Sequence, residues 1–398
     1  MKPESAETLP VGAFPARHRG YCEEYMTRST AWTVRIALAA LVLAAAALAG
    51  AATAWAGRVR FVDIAGTAQF RTERSGTFSQ DAASIPTWSS SYVDGLTGQP
   101  FSYTMVGRSP MAGSSNTVVR TVIVPVDLRF AGGGVLNGSS RTQLVLGSPI
   151  FQPARFDGPS YATQYGNAMQ KDMFWRTGGS NPTYNVTLQN STIMTPVSLD
   201  VPKSKGHDAI GQQSGIHFGL ADYAWLNGKL KDSMKDLAPS ILPIFVVDNT
   251  FLWLDTPDQC CVVGFHGALG NTKQISTYIF ASYSDAGLFA PLPGQSQSYE
   301  SDIHALSHEV SEWYADPFLS NQVVPWSSPL APQYGCAAAL ETGDPVFGYG
   351  WNVPMPNGVT YHPQDEAFFS WFAHESPSRG LGGRYTYLKT FTSPAPGC

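Results

Sequence analysis

Four apolar stretches constrain the fold of this chain more than any other feature. Residues 117–130 (TVVRTVIVPVDLRF) are rich in β-branched side chains and partly alternate apolar with polar positions, which predicts a strand. Residues 241–247 (ILPIFVV) form a continuous apolar run, which predicts a buried strand ending at Asp248. Two more strands are predicted around residues 262–266 and 277–283. With 398 residues, the chain is long enough to bury a substantial core around such strands.

Helical spacing of apolar residues occurs between and after these strands. It is found at residues 161–175 and 218–237, and again at 301–314, after the last predicted strand. Beyond the third helix the chain is rich in Pro and Gly, except for a short helical pattern at 365–372. The order of elements predicts an α+β fold in which a polar helix follows the sheet.

The N-terminal region predicts export. Residues 36–54 form an almost uninterrupted apolar run that follows Arg28 and Arg35 and leads to an Ala-x-Ala site ending at Ala56. This arrangement is typical of a signal peptide, so residues 1–56 are expected to be cleaved, leaving a secreted, extracellular or periplasmic protein without a membrane contact. The alternative is a retained membrane anchor, because the run is just long enough to span a bilayer.

The composition of the chain fits an exported protein. Only 14% of its residues are charged, whereas 38 Gly and 29 Pro predict many loops. A net charge of −5 and the lack of a Lys/Arg cluster argue against nucleic acid as a partner. The mature chain is divided into a β-rich region with two helices at 57–240 and a metal-binding region at 241–398, which form either two domains or one.

Cysteine usage predicts disulfides. Cys22 is lost with the signal peptide, which leaves Cys260, Cys261, Cys336 and Cys398 in an oxidising compartment. Adjacent cysteines rarely bond to each other, so Cys260 and Cys261 are each expected to pair with one of the two distant cysteines. A zinc–thiolate site is the alternative, but the spacing is not that of a zinc finger or ribbon.

The helix predicted at 301–314 carries the strongest chemical signal. His304, His308 and Glu312 are four residues apart and share one helix face, where ligands one turn apart can bind the same metal ion. Glu309 directly follows His308. Metallopeptidases place at this position the carboxylate that takes a proton from water. The alternative is a polar face in water, but three potential ligands on one stripe, in a chain with eight histidines, favour a metal site.

A catalytic zinc ion usually has three protein ligands, so a third must come from elsewhere. Glu341 and Asp344, shortly after Cys336, are the candidates, with His304 as a further one. For the two carboxylates the alternative is a solvated turn. His266 closes an apolar strand, which favours an ordinary core histidine, with a position lining the cleft as the alternative.

The order and spacing of these motifs resemble a zincin-like pattern, that of the phosphate-induced (EXORDIUM-like) cell-wall proteins of plants and related secreted bacterial proteins. The resemblance covers roughly residues 241–371 and is carried by His308-Glu-Val-Ser-Glu312, Asp316-Pro317, Trp326, Glu341-x-x-Asp344 and the upstream Cys261-Val-Val-Gly-Phe-His266. It implies a zincin-like metallopeptidase domain with a mixed sheet and an active-site helix, preceded by a β-rich region. It also implies zinc on His308, Glu312 and either Glu341 or Asp344, with Glu309 as the base.

Taken together, these features predict a secreted zinc-dependent hydrolase, a metallopeptidase that acts on a peptide or protein. The alternative is a non-catalytic zincin-like extracellular or cell-wall protein with a structural metal and aromatic loops that bind glycan. A third possibility, a glycosidase using Glu309 and Glu312 as acid and base, is disfavoured. Adjacent turns of one helix rarely place two carboxylates on opposite sides of a sugar.

Overall fold

A computed structural model describes residues 69–75, 83–113, 115–176, 184–189, 191–271, 274–332 and 335–398. All of them belong to one compact unit, Gly57–Cys398. The predicted signal peptide, residues 1–56, lies outside the described residues. Among the helices of the described part, none is both long enough and apolar enough to cross a membrane.

The described residues form a mixed α+β structure with few helices. The α-helices are α1 Thr142–Leu146, α2 Tyr165–Met173, α3 Tyr223–Ser233, α4 His304–Ala315 and α5 Phe369–Phe372. The strands of the first half are β1 Gln69–Ser75, β2 Thr87–Val93, β3 Pro100–Val106, β4 Thr117–Phe130, β5 Val135–Asn137, β6 Val186–Leu188, β7 Thr192–Ile193, β8 Val197–Val201, β9 Gly206–Ile210 and β10 His217–Asp222. Those of the second half are β11 Ile241–Asp248, β12 Thr250–Trp253, β13 Cys260–Asn271, β14 Gln274–Tyr283, β15 Gln322–Trp326, β16 Ala337–Ala339, β17 Val353–Pro354 and β18 Thr360–Tyr361.

Twelve of these strands form one curled mixed sheet in the order β5-β4-β11-β14-β13-β12-β10-β9, with β1 added to β13 and with β6, β7 and β8 added to β4. The neighbours β4, β11 and β14 run parallel, whereas β13 runs antiparallel to β14. Since β4 pairs with β11, the sheet takes strands from both the 57–240 and the 241–398 regions.

The apolar runs seen in the sequence follow from burial of both faces of this sheet. Along β11, Ile244 and Val246 belong to one hydrophobic core, while Phe245 and Val247 belong to the other. The first core contains side chains of α2 and α4, and the second contains side chains of α3. A strand that is covered on both faces is apolar throughout rather than alternating, which is why 241–247 could be assigned from sequence.

The helix predicted at 218–237 is partly wrong. Residues from His217 to Asp222 form strand β10, which pairs with β9 and β12, and helix α3 begins only at Tyr223. Asp222 marks the change, because its Oδ1 accepts a hydrogen bond from the backbone N–H of Trp225 at 2.7 Å. The predicted helices at 161–175 and 301–314 are present with shorter or slightly shifted bounds.

The expected disulfide pairing is also wrong. Cys260 bonds to its neighbour Cys261, and Cys336 bonds to Cys398. The physical reason lies in the end of the chain, where the backbone N–H of Cys398 donates to the carbonyl of Pro325 at 3.0 Å. This contact places Cys398 beside the small β15–β16 sheet, close to Cys336, whereas Cys260 and Cys261 begin β13 in the large sheet.

Candidate metal centre

Helix α4 is buried along its whole length, although it carries two histidines and two glutamates. It packs against β13 and β14 of the sheet, and against α2 and β3. Asp302 fixes its start, because Oδ1 accepts hydrogen bonds from the backbone N–H of Ile303 (2.6 Å) and of His362 (2.9 Å). Polar side chains on so deeply buried a helix require partners within the protein. Those partners form the site.

The first group consists of His308, Glu312 and Asp344. His308 Nε2 lies 3.1 Å from Glu312 Oε2 and 3.6 Å from Asp344 Oδ1. The other oxygen of Glu312 accepts hydrogen bonds from the backbone N–H groups of Gly343 (3.0 Å) and Asp344 (3.2 Å), which fixes the carboxylate and the turn together. His308 and Glu312 are buried, but 37% of the Asp344 side chain is exposed. The first group therefore opens to solvent at Asp344.

Gln364 determines which nitrogen of His308 carries the proton. Its Nε2 donates to the carbonyl of Gly343 at 2.8 Å, so its Oε1 is the atom that faces His308 Nδ1, at 3.0 Å. An amide oxygen only accepts, so His308 Nδ1–H is the donor and the lone pair is on Nε2. That lone pair faces the oxygens of Glu312 and Asp344. This is the tautomer of a metal-binding histidine.

The second group consists of His266, Glu309 and Glu312. His266 Nδ1 lies 3.0 Å from Glu309 Oε2 and 3.8 Å from Glu312 Oε2. Its Nε2 lies 3.3 Å from the backbone carbonyl of Asp316, which only accepts, and a proton on Nε2 leaves the lone pair on Nδ1. Gly264 makes room for the group, because a Cβ there would lie 2.9 Å from Cγ of Glu309. All three members of the second group are buried.

Burial controls the charge of both groups. It lowers the pKa of His266 to about 3 and that of His308 to about 4, so both imidazoles are neutral at pH 7. It raises the pKa of Glu309 and of Glu312 well above the usual range, and the charges of nearby carboxylates raise both further. Neutral imidazole is the form that binds a metal, and a divalent cation would replace protons that burial otherwise keeps on the carboxyl groups.

The spacing of the side chains fits a small divalent cation. Zinc binds imidazole nitrogen and carboxylate oxygen at about 2.0–2.2 Å, so tetrahedral ligand atoms lie about 3.3–3.6 Å apart. The two distances from His308 Nε2, 3.1 and 3.6 Å, are close to that range. Within each group the three ligand atoms lie within 4.8 Å of one another. Each group therefore offers three ligands to one cation.

The structure places the other two predicted ligands outside these groups. Glu341 Oε2 lies 3.9 Å from His266 Nε2, on the opposite side of the ring from Glu309. Burial, and then the charge of Glu312, raise the pKa of Glu341 well above its usual range. His304 is buried one turn before His308, and burial followed by the neighbouring His308 lowers its pKa to about 3. Asp344, rather than Glu341, is the carboxylate beside His308.

His266 is the site residue for which the sequence favoured an ordinary core position, with a position lining the cleft as the alternative. It is fully buried, as expected, but it faces ionisable groups rather than apolar ones. A signal for it was present in β13, since Gly264 and His266 are two residues apart and so lie on the same face of the strand. A glycine next to a histidine on a buried face leaves space for a polar side chain from the packed helix.

Gly343→Ala tests whether the first group needs its present spacing. The backbone of Gly343 has an ordinary helical conformation (φ −83°), but an added Cβ would lie 2.4 Å from His308 Nδ1. The imidazole must then move and lose its hydrogen bond to Gln364, so zinc affinity is expected to fall about 10- to 100-fold. Competition with a chromophoric chelator measures this. Gly228→Ala, with open space around the site of substitution, is the matched control. Equal affinity of both variants would contradict the assignment.

Comparison of the chain with protein-family models, with curated proteins and with solved structures finds no match. The side chains themselves indicate what the centre can do. Two neutral imidazole nitrogens and several carboxylate oxygens form a ligand set that suits zinc and similar divalent metals. Asp344 is the partly exposed member of the first group.

Proposed function

We propose that this chain is a secreted zinc-dependent hydrolase, a metallopeptidase with a zincin-like fold. The proposal depends on one observation. The lone pair of His308 Nε2 faces two carboxylate oxygens, at 3.1 and 3.6 Å, while Nδ1–H donates to Gln364 Oε1. Three acceptors that face one another repel unless a cation or a proton lies between them. The proposed cation ligands are His308, Glu312 and Asp344.

In this proposal Glu309 is the acid–base residue. A zinc ion in the first group would polarise a peptide carbonyl and lower the pKa of water. Glu309 is buried next to Glu312, and burial raises its pKa well above the usual range. A carboxylate with a raised pKa takes a proton from water readily and can then give it to the leaving amine. His266 Nδ1 lies 3.0 Å from Glu309 Oε2.

Two further features support a zincin-like peptidase. Helix α4 lies against a mixed sheet with its ligands on the side of the 341–344 turn, which agrees with the order of motifs in the resembled family. The first group is exposed at Asp344, the side from which a substrate would approach. Membership of the phosphate-induced family, and export through the 1–56 leader, are part of the same proposal.

A second candidate, a non-catalytic protein that binds glycan, is favoured by one cavity. This cavity of about 280 Å³ is lined by the aromatic rings of Trp88, Tyr92, Tyr103, Phe174 and Phe369. Aromatic rings stack on the apolar faces of sugars. By contrast, Trp313, Trp326 and Trp371 in the last third of the chain are buried in the core.

Metal content and a peptide digest separate the two candidates. Purified mature protein is expected to contain zinc by elemental analysis and to cleave members of a peptide library. Chelation should stop cleavage, and added zinc should restore it. A protein that holds zinc but cleaves nothing would support the second candidate instead, and one without metal would contradict both.

Glu309→Gln provides the sharper test of the acid–base role. The amide keeps the shape of the side chain but cannot take a proton, so kcat is expected to fall about 100-fold or more. The cation of the first group should remain, because Glu309 is not among its ligands. A variant with unchanged kcat would show that Glu309 is not the base.

A further inference from the structure

A second metal-binding tautomer occurs within the same buried cluster. His266 Nε2 faces the carbonyl of Asp316, which leaves the Nδ1 lone pair directed at Glu309 Oε2 (3.0 Å) and Glu312 Oε2 (3.8 Å). The carbonyl of Asp316 thus does for His266, on strand β13, what Gln364 does for His308 on helix α4. Two histidines thus present lone pairs to the same carboxylate of Glu312 from two sides.

We propose that the protein binds a second divalent cation, held by His266, Glu309 and Glu312, so that Glu312 is shared between two cation sites. This inference rests on the proposed function, because the first site supplies the shared ligand. The chemical class of the ligand is a zinc-like divalent metal, as expected for one imidazole and two carboxylates.

The balance of charge favours two cations over one. Four carboxylates, those of Glu309, Glu312, Glu341 and Asp344, surround the two histidines. Among the described residues, the ion-pair partners of these carboxylates are histidines and not Lys or Arg. Buried charges require compensation. When all four carboxyl groups are ionised, one divalent cation offsets two of the negative charges and two cations offset all four.

An unsatisfied atom gives independent support. Glu309 is fully buried, yet its Oε1 has no hydrogen-bond partner among the described residues. Native proteins seldom leave a buried carboxylate oxygen without a donor or a cation, because its desolvation is not compensated. Glu309 therefore has the coordination capacity that a second cation would use.

The second site has a consequence for catalysis. A cation bound there occupies the carboxylate that the proposed function uses as the base. A group that donates its lone pair to a metal takes a proton less readily, so the second cation and acid–base catalysis compete for Glu309. Hydrolysis should thus rise as the first equivalent of zinc binds and fall as the second one binds.

Zinc titration of the metal-free protein tests this inference. We expect the wild type to bind two equivalents of zinc in equilibrium dialysis. Its rate of peptide hydrolysis should fall at least ten-fold from the peak value as the second equivalent binds. His266→Gln and Glu309→Gln should each bind one equivalent. His266→Gln should show no inhibition by excess zinc. His217→Gln is the matched control, because its imidazole also faces a carboxylate, that of Asp208 at 3.1 Å, and it should bind two.

The possible failures can be told apart. A wild type that saturates at one equivalent and hydrolyses peptide would overturn the second site while the proposed function stands. A wild type that binds no zinc would overturn both. Retention of two equivalents by Glu309→Gln, which keeps the shape of the buried side chain, would show that the second cation lies elsewhere.

Discussion

Glu312→Gln is expected to abolish the proposed zinc binding and to reduce kcat/KM by about 10,000-fold, which corresponds to the several kcal/mol of transition-state stabilisation that a metal ion supplies. Among the described residues, Glu312 is the side chain that both groups share, since its Oε2 faces His308 at 3.1 Å and His266 at 3.8 Å. The amide carries no charge to offset a divalent cation. Elemental analysis and peptide hydrolysis measure the two losses.

The same variant should not lose stability in the metal-free form. Oε1 of Glu312 accepts hydrogen bonds from Gly343 and Asp344, and the amide oxygen of Gln can accept both. The substitution also removes one of several adjoining buried carboxylates, whose mutual repulsion is costly. Metal-free variant and wild type are therefore expected to unfold at similar denaturant concentrations, with any difference in favour of the variant.

Asp94→Asn is the matched control for this experiment. Asp94 is a buried carboxylate that also faces a histidine, His374, at 2.6 Å, but it belongs to neither group. Zinc content and hydrolysis should be unchanged by that substitution. If Glu312→Gln kept its zinc, or if Asp94→Asn lost it as well, Glu312 would not be the shared ligand.

The sheet could be predicted where a strand is covered on both faces. Residues 241–247 were assigned from their continuous apolar run and are observed as β11, with alternate side chains in two different cores. Strand β10 was missed because its six residues run directly into helix α3, and Phe218 fits the helical spacing by chance. The local signal that separates them is Asp222, which caps the helix.

The site shows the same division between local and tertiary information. His308 and Glu312 are four residues apart on one helix, so their convergence follows from helical geometry alone. The choice of Asp344 over Glu341 depends on a turn that is held by hydrogen bonds to Glu312. The spacing of Gly264 and His266 places both on one face of β13, but which helix residue packs against them depends on the register between β13 and α4.

Asp172 lies outside this site and affects how the stability of the protein depends on pH. It is fully buried on α2, and neither of its carboxylate oxygens has a hydrogen-bond partner among the described residues. It packs closely against Gly158, where an added Cβ would lie 2.0 Å from Oδ1. Burial raises the pKa of Asp172 to about 8, and the charge of Arg384 only partly offsets this effect.

The raised pKa makes this carboxyl a source of instability at high pH. The folded state favours the protonated form, so the contribution of Asp172 to stability is fully present below its ordinary pKa of 3.8. It is lost as the pH rises towards 8, where the folded form also ionises. The loss amounts to about 5 kcal/mol, which is comparable with the whole stability of many domains.

Asp172→Asn should therefore stabilise the protein increasingly as the pH is raised. The amide does not titrate, so the difference in unfolding free energy between variant and wild type is expected to grow by about 5 kcal/mol from pH 4 to pH 8 and to stay constant above that. Urea unfolding at pH 4, 6, 8 and 9 measures it, and any constant cost of burying the amide cancels in the comparison. Asp157→Asn, at a side chain that is 62% exposed, is the matched control. If the unfolding free energies of Asp172→Asn and the wild type changed in parallel with pH, ionisation of Asp172 would not destabilise the folded state.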